Sequence, residues 1–525
     1  MPERTKITYT SLLADESIHA KYEDALEQIA AKFGQHHPMF IGERGIFSNV
    51  EFEVRSPIDT HILIGYFQKG HEDDAKKAIE VAKKAQPEWM ETDWRQRVRI
   101  LRDAADHLEQ KRFLLAALIT FEVGKNRYEA IAEVSEAIDF LRYYCDVYEQ
   151  HEGYVLPQTS NDPREKCKSV LRPYGLWAVI SPFNFPIALA ANMASAALLT
   201  GNTVVFKPTS VAPFSGLKLY QILIQCGIPP GVLNIVTGPG GPFGDVIVAH
   251  PDVDGIAFTG SREVGMWLHR EYTSRQPYPK PVVSEMGSKN PAIVMSSANL
   301  EHAVEGITRA AFGYGGQKCS ATSRVYVQNE IASPFIHALK ERVEALEVGD
   351  PREKGVFVGP LINEPARSTY KDAVEMAKND IKNGGSIVTG GEILNEGAFA
   401  RGYYVTPTVV TGIPRGHRLL TDELFVPFLV VDTFTTLEEA LHQANATEYG
   451  LTAGIFSENQ HEVEYFFDHI QFGVVYANRE GGATTGAWPG AQPFGGWKGS
   501  GSTGRGVGGP YYLLSYMREQ AQTRL

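Results

Sequence analysis

Cys319 lies in FGYGGQKCSATSR (312–324), where glycines and small polar residues surround the thiol in place of apolar neighbours. A structural cysteine usually sits among hydrophobic side chains. Flexible backbone, the adjacent Lys318 and a nearby helix end suit a lowered thiol pKa, and the thiolate is the form that attacks carbonyl carbon. Glu285 closes PVVSE (281–285), which reads as a buried strand, and GSKNP follows it. Open α/β sheets place their ligands at the carboxyl edge of parallel strands. A partly buried carboxylate there rises in pKa toward general-base duty, whereas a strand-end acid in solvent does not. Asn184 sits between Phe183 and Phe185 and is flanked by Pro182 and Pro186, which makes it an amide donor in a rigid apolar loop. It either stabilises an oxyanion or caps the helix that begins at Pro186.

FTGSREVG (258–265) reads as a strand ending in Thr259-Gly260-Ser261 and running straight into a helix. The free N–H groups and dipole of such a start form an anion site suited to a pyrophosphate, although Gly-Ser helix starts are also common without one. Two GxGxxG matches, Gly499-Gly501-Gly504 and Gly504-Gly506-Gly509, lack both a clear preceding strand and room for a domain before Leu525. They read as turn glycines, because the fingerprint works only between a strand and a helix. No HExxH occurs, His36-His37 precede a proline, and no Cys/His cluster has ligand spacing, so no metal is expected.

Periodicity supplies the elements that must carry these groups. Residues 14–34 look helical, and 72–87, 93–124 and 127–150 have apolar residues at i, i+3 and i+4, so the N-terminal quarter is expected to be mainly helical cladding. From Leu176, β-rich runs at 176–181, 204–206, 232–236, 255–259 and 281–285 alternate with helices at 186–200, 213–226, 242–250 and from about 262. Such alternation implies right-handed βαβ crossovers and a parallel sheet. A second series begins at 291–295 and continues through helix 300–313, strand 324–328, helix 332–346 and strands near 405–410 and 428–433. The Gly- and Thr-rich tail from Gly481 is expected to be an ordered loop region. No charged side chain occurs from Pro173 to Phe206, but Pro182, Asn184, Pro186, Gly201 and Asn202 cut the stretch into strand, loop, helix and strand, so it is not a membrane span.

With 50 basic against 62 acidic residues and no Lys/Arg block, the chain lacks the positive surface a nucleic-acid partner requires. Its four cysteines, Cys145, Cys167, Cys226 and Cys319, form no CxxC pair, which fits a reducing compartment. Glu3, Asp15, Glu16, Glu23 and Asp24 occupy the first 30 residues without an apolar core, so no targeting peptide is read and a cytoplasmic location is expected.

Taken together, PFNFP (182–186), VVFKPT (204–209), FTGS (258–261), SEMGSKNP (284–291), GQKCSATSR (316–324), DELFVP (422–427) and QPFGGWKGSG (492–501) resemble the aldehyde dehydrogenase superfamily, in family order and from about residue 50 to the end. The resemblance implies an α/β fold: a Rossmann-like cofactor domain (1–150 and 172–285), an α/β catalytic domain (286–475), an oligomerisation element (151–171 and 502–525) and an active-site anchor loop (476–501). It implies a homo-oligomer built from dimers, acting on a small-molecule aldehyde, with no membrane partner. Cys319 would be the nucleophile, Glu285 the base that activates water, and Asn184 an oxyanion donor beside the Cys319 N–H. A CoA-acylating relative would lack the base, and a purely structural member of the fold would have no need of all three. The cofactor, NAD with NADP tolerated, would meet Ser181, Pro182, Phe183, Thr209, Ser210, Gly241 and Thr259. Lys207 would serve the adenosine ribose, Gly260 and Ser261 the pyrophosphate, and Glu423 with Phe425 the nicotinamide ribose.

Within the superfamily, GQKCSATSR, TTGAWPGAQPFGG (484–496) and EAIDFLRYY (136–144) look most like the branch that oxidises L-glutamate γ-semialdehyde in proline degradation. That likeness implies a carboxylate anchor at Ser320, Gly486 and Ala487, apolar walls at Phe185 and Phe494, and Lys318 paired with Glu136 near the reacting end. A Gly/Thr-rich loop with Trp488 and Pro489 equally suits a wider funnel for medium-chain or aromatic aldehydes. Two departures stand out: Ser288 replaces the glycine usual after the base, and Ser210 stands where most NAD-preferring members carry the glutamate of KPxE.

Overall fold

The computed structural model describes residues 16–381, 384–481 and 488–525. The first alternating series builds a seven-stranded sheet. Its spatial order is Val282–Glu285, Gly255–Thr259, Leu176–Ile180, Thr203–Lys207, Leu233–Ile235, Met39–Ile41 and Arg44–Ile46. The first five strands are mutually parallel and the last two are added antiparallel. The chain steps outward from 176–180 through 203–207 to 233–235, then returns to the other side of 176–180 at 255–259. That reversal opens a crevice at the carboxyl ends of these two strands, the place where doubly wound sheets bind ligands.

Successive side chains of a strand point to opposite faces, so a strand covered on both faces is apolar throughout. Trp177 and Val179 accordingly join one core with helices Ala188–Leu199 and Pro213–Gln225. Leu176 and Ala178 join the other, with helices Glu72–Glu91, Gly240–Ala249 and Arg262–Arg275. The uncharged stretch 173–206 is thereby accounted for as interior, and among the described residues no helix is long and apolar enough to cross a membrane.

The second series forms another seven-stranded sheet, in the order Ile387–Thr389, Thr408–Thr411, Phe428–Phe434, Thr322–Gln328, Asn290–Val294, Thr452–Phe456 and Val474–Ala477. Only the first of these strands runs antiparallel to its neighbour. A three-stranded antiparallel sheet joins Val155–Gln158 and Lys166–Pro173 to the C-terminal strand Met517–Arg524.

The N-terminal quarter is less helical than expected. Between helices Ser17–Ala30 and Glu72–Glu91 lie five short strands, Gln35–His37, Met39–Ile41, Arg44–Ile46, Glu51–Arg55 and Leu63–Gln68. Three of them are only three residues long, too short for a period of two to register. The expected helix 93–124 is two helices, Trp94–Gln110 and Arg112–Val123, broken at Lys111 (φ −98°, ψ 11°). The second series also contains helices Glu364–Asp380, Leu437–Asn445 and Gln460–His469 and strands Thr452–Phe456 and Val474–Ala477, beyond those its periodicity predicts.

The glycine-rich tail lies between no strand and helix of a βαβ unit. It runs as a strap along the strand that carries Glu285: Ser502 N–H donates to the Ser284 carbonyl (3.1 Å), Met286 N–H to that of Ser500 (2.8 Å), and the Ser500 hydroxyl to that of Gly287 (2.7 Å). A Cβ at Gly501 would lie 2.4 Å from the Gly496 carbonyl oxygen, which explains a glycine there without any phosphate.

Candidate active site

The crevice holds a cavity of about 400 Å³. Ser181, Pro182, Phe183 and Asn184 enter it from the end of strand Leu176–Ile180, and Thr259, Gly260 and Ser261 from the end of Gly255–Thr259. Thr209, Met286, Gly287, Cys319, Glu423 and Phe425 complete the wall. Ser261 caps helix Arg262–Arg275, its hydroxyl accepting from Val264 N–H, and Ser261 and Val264 both line the cavity, which puts the start of this helix at the cleft. The Ser181 hydroxyl is buried without a partner among the described residues. Gly287 must be glycine, because a Cβ would lie 2.1 Å from Glu423 Oε2. Glu423 Oε1 accepts from Ser288 N–H (2.7 Å), and burial raises this carboxyl to about 7. A helix start, an unpartnered hydroxyl and a carboxylate held at a glycine fit a ligand that is anionic at one end and rich in hydroxyls at the other.

Cys319 follows a turn that few residues can make. Tyr314, Gly315 and Gly316 all have positive φ, and a Cβ at Gly316 would lie 2.6 Å from the Val426 carbonyl oxygen. The turn is pinned by the Tyr314 hydroxyl, which donates to the Val123 carbonyl (2.7 Å). Burial first, then the charges of Glu423, Glu285 and Glu136, push the thiol well above its ordinary value. The expectation of a thiolate made acidic by Lys318 is therefore corrected. Lys318 forms a buried ion pair with Glu129 (2.7 Å), where a pair with Glu136 was expected.

Glu285 is buried at the end of its strand, and desolvation lifts its pKa to about 8 against a single opposing hydrogen bond from Gly496 N–H (3.0 Å). That bond ties the carboxylate to the 476–501 loop. Glu285 thus has the environment of a base that takes a proton near neutral pH. Among the described residues Asn184 caps no helix. Helix Ala188–Leu199 starts at Ala188, and the N–H groups of Ile187 and Ala188 donate to Glu133 Oε1 (2.9 and 3.3 Å). With that duty taken by a carboxylate, the Asn184 amide is left lining the cavity beside Cys319.

An aldehyde dehydrogenase family profile matches residues 47–521. A 1-pyrroline-5-carboxylate dehydrogenase of Geobacillus sp. (strain WCH70) is 35% identical over 506 residues, covering 96% of this chain and 95% of that protein. The namesake from Bacillus licheniformis is 36% identical over 508 residues, with 96% and 95% coverage. The solved 1-pyrroline-5-carboxylate dehydrogenase from Thermus with bound NAD superposes with a TM-score of 0.94 at 34% identity, covering 100% of this chain and 99% of that one.

The chain belongs to the aldehyde dehydrogenase family.

In this aldehyde dehydrogenase Cys319 and Asn184 line one cavity, Glu285 does not line it but lies near enough for its charge to act on the thiol, and the expected binding residues divide. Phe183 and Phe425 meet edge to face (5.8 Å between centroids) at the cavity wall. Lys207 is buried, its amine on the Pro208 carbonyl (3.1 Å) and desolvated to about 8, and neither it nor Ser210 lines this cavity. Gly241 is exposed in the first turn of helix Gly240–Ala249. Ser320 is buried, with its carbonyl accepting from the Thr452 hydroxyl (3.2 Å). Phe494 is buried and bonded through its backbone to Val507. Gly486 and Ala487 lie outside the described residues, as do Thr484 and Thr485.

Sequence reasoning missed the buried pair beneath the site. Lys125 and Glu133 are both fully buried and 2.7 Å apart, with the Lys125 ammonium 3.4 Å above the ring centroid of Phe185. Glu129 and Glu133 stand four residues apart on helix Arg127–Gln150 and take Lys318 and Lys125 respectively. Two acids at i, i+4 in an otherwise apolar helix face were the available signal. Asn290 was also missed; its amide bonds to the carbonyls of Cys319 (2.7 Å) and Ala321 (2.9 Å) and accepts from Thr452 N–H (2.9 Å).

Proposed function

We propose that this aldehyde dehydrogenase oxidises L-glutamate γ-semialdehyde, the open form of 1-pyrroline-5-carboxylate, to L-glutamate with NAD as hydride acceptor. The observation that carries the reading is the meeting of Cys319 and Asn184 in one cavity, with Glu285 buried close enough for its charge to act on the thiol. The relatives' names and the NAD in the Thermus structure support the substrate and the cofactor. Ser181, Thr209, Ser261, Glu423 and Phe425 would hold the dinucleotide, and Lys207 its adenosine ribose. When bound, NAD supplies the hydride acceptor.

The chain's own residues do the rest. The Cys319 thiol gives its proton to solvent water, Sγ attacks the aldehyde carbon, and the oxyanion accepts from the Asn184 amide and the Cys319 N–H. Loss of the substrate's hydride leaves a thioester on Cys319. Glu285 then takes a proton from water, the hydroxide attacks the thioester carbon, and Cys319 departs as thiolate with glutamate as product. Ser320, Gly486 and Ala487 would anchor the α-carboxylate through a hydroxyl and two backbone N–H groups. Ser210 in place of an acid leaves no like charge against a 2′-phosphate, so NADP is tolerated. The three-stranded sheet of 155–158, 166–173 and 517–524 would pair subunits into dimers.

The test is a panel of aldehydes assayed by NAD and NADP reduction. The semialdehyde is expected to give the highest kcat/KM, with NADP turned over more slowly than NAD. Higher efficiency with hexanal or benzaldehyde would replace this reading with that of a broad-specificity enzyme.

A further inference from the structure

Ser288 is buried between two functional groups. Its backbone N–H donates to Glu423 Oε1 (2.7 Å), and its hydroxyl donates to the carbonyl oxygen of Cys319. One residue therefore touches both the carboxylate at the cofactor side and the peptide of the nucleophile. We infer that Ser288 is a positioning residue whose hydroxyl fixes the Cys319–Ser320 peptide against the cofactor side of the cleft.

The proton inventory around Asn290 supports this assignment. The Asn290 amide nitrogen has three acceptors within reach: Ser288 Oγ (2.8 Å), the Cys319 carbonyl (2.7 Å) and the Ala321 carbonyl (2.9 Å). An amide carries only two hydrogens. The set closes when Ser288 gives its single proton to Cys319 and Asn290 gives its two to Ser288 Oγ and Ala321. A chain from amide to hydroxyl to carbonyl results, each link polarising the next. The carbonyl of Cys319 and the N–H of Ser320 belong to one planar peptide, so fixing the first fixes the second. The far side of Ser320 is held by Thr452, whose own N–H returns to Asn290 Oδ1 (2.9 Å). Without the hydroxyl, the Cys319 carbonyl loses its Ser288 donor, and the Asn290 amide must turn from Oγ to serve both carbonyls itself.

The inference rests on the reading of Cys319 as nucleophile, so Cys319→Ala is measured beside Ser288→Ala and Ser288→Gly, both of which keep the backbone N–H. Steady-state kinetics with varied NAD are combined with the rate of Cys319 alkylation by iodoacetamide across pH. Loss of one buried hydrogen bond is expected to lower kcat about three- to tenfold in both Ser288 variants. KM for NAD should stay within about twofold, because the N–H to Glu423 belongs to the backbone. The alkylation rate should change with kcat, and Ser288→Thr should restore both. Wild-type kcat and alkylation in Ser288→Ala and Ser288→Gly, with Cys319→Ala inactive, would overturn the positioning role alone. A raised KM for NAD at unchanged kcat would overturn it in favour of cofactor binding. An active Cys319→Ala would overturn the nucleophile reading beneath it.

Discussion

Glu285 folds into a site that disfavours its charge. Its carboxyl is raised to about 8 by burial, with one backbone donor in compensation. A base must be ionised to accept a proton, so thioester hydrolysis is expected to rise with pH through about 8 and to fall on the acid side. Glu285→Gln removes the base but keeps the shape and the acceptor for Gly496. The variant should still release a first equivalent of NADH rapidly and then turn over slowly, read as a burst in stopped-flow absorbance. Stability moves the opposite way. A group whose folded pKa is raised favours the fold while protonated and loses that contribution as pH rises from its unfolded value through the folded one. Glu285→Gln should therefore melt above wild type at pH 9 and converge with it in acid. Equal melting temperatures at pH 9 would mean that the carboxylate is not buried in the folded protein.

At the scale of elements, helix Ala188–Leu199 shows how the site is held. It has no side-chain cap of its own, and Glu133 from helix Arg127–Gln150 supplies one, with Lys125 neutralising the carboxylate. Three segments therefore depend on one buried ion pair: the loop carrying Asn184, the helix carrying Glu133, and the turn before it carrying Lys125. Breaking such a pair from one side leaves an unpaired charge in the interior, at a cost of about 3–5 kcal/mol. Lys125→Met should lower stability by that order in urea unfolding. Adding Glu133→Gln should recover part of the loss, since the helix keeps an acceptor and the stranded charge disappears. Additive losses in the double variant would show that the two side chains do not act as a pair.

At the scale of the molecule, the C-terminal strand closes a sheet whose other strands lie more than 300 residues earlier: Met517 pairs with Pro173 and Arg524 with Lys166. Apart from its first residue, this strand is largely exposed and is held by backbone bonds to a neighbour whose residues are mostly half-buried or exposed. Such a ribbon is marginal in isolation and gains from a covering partner. Deleting 517–525 should shift size-exclusion elution toward a smaller assembly, while the active-site cysteine remains reactive to iodoacetamide. Unchanged elution would mean that subunits meet elsewhere.

How much was legible beforehand follows from how local each determinant is. Strands such as 176–180 and 255–259 were legible because both faces are buried, which writes apolarity into every position. Cys319, Glu285 and Asn184 stood out because their residue types sat in the wrong company for a plain core, loop or strand. Strands 35–68 were not legible, since three-residue strands with one buried face carry too few positions to establish a period. The protonation of the site was not legible either. Lys318 is next to Cys319 in the chain, and only the packing of helix Arg127–Gln150 sends its charge to Glu129. Likewise only the fold brings Glu133 to the helix start that Asn184 would otherwise have capped, and Ser288 to the carbonyl of Cys319. The sequence by itself determined the alternation of strand and helix in the two α/β series and marked the candidate reacting side chains, because burial periodicity and residue chemistry are properties of short segments. The tertiary structure decided which charges meet, which donors are taken and which groups are desolvated, because Coulomb and hydrogen-bond terms depend on distances between residues tens to hundreds of positions apart.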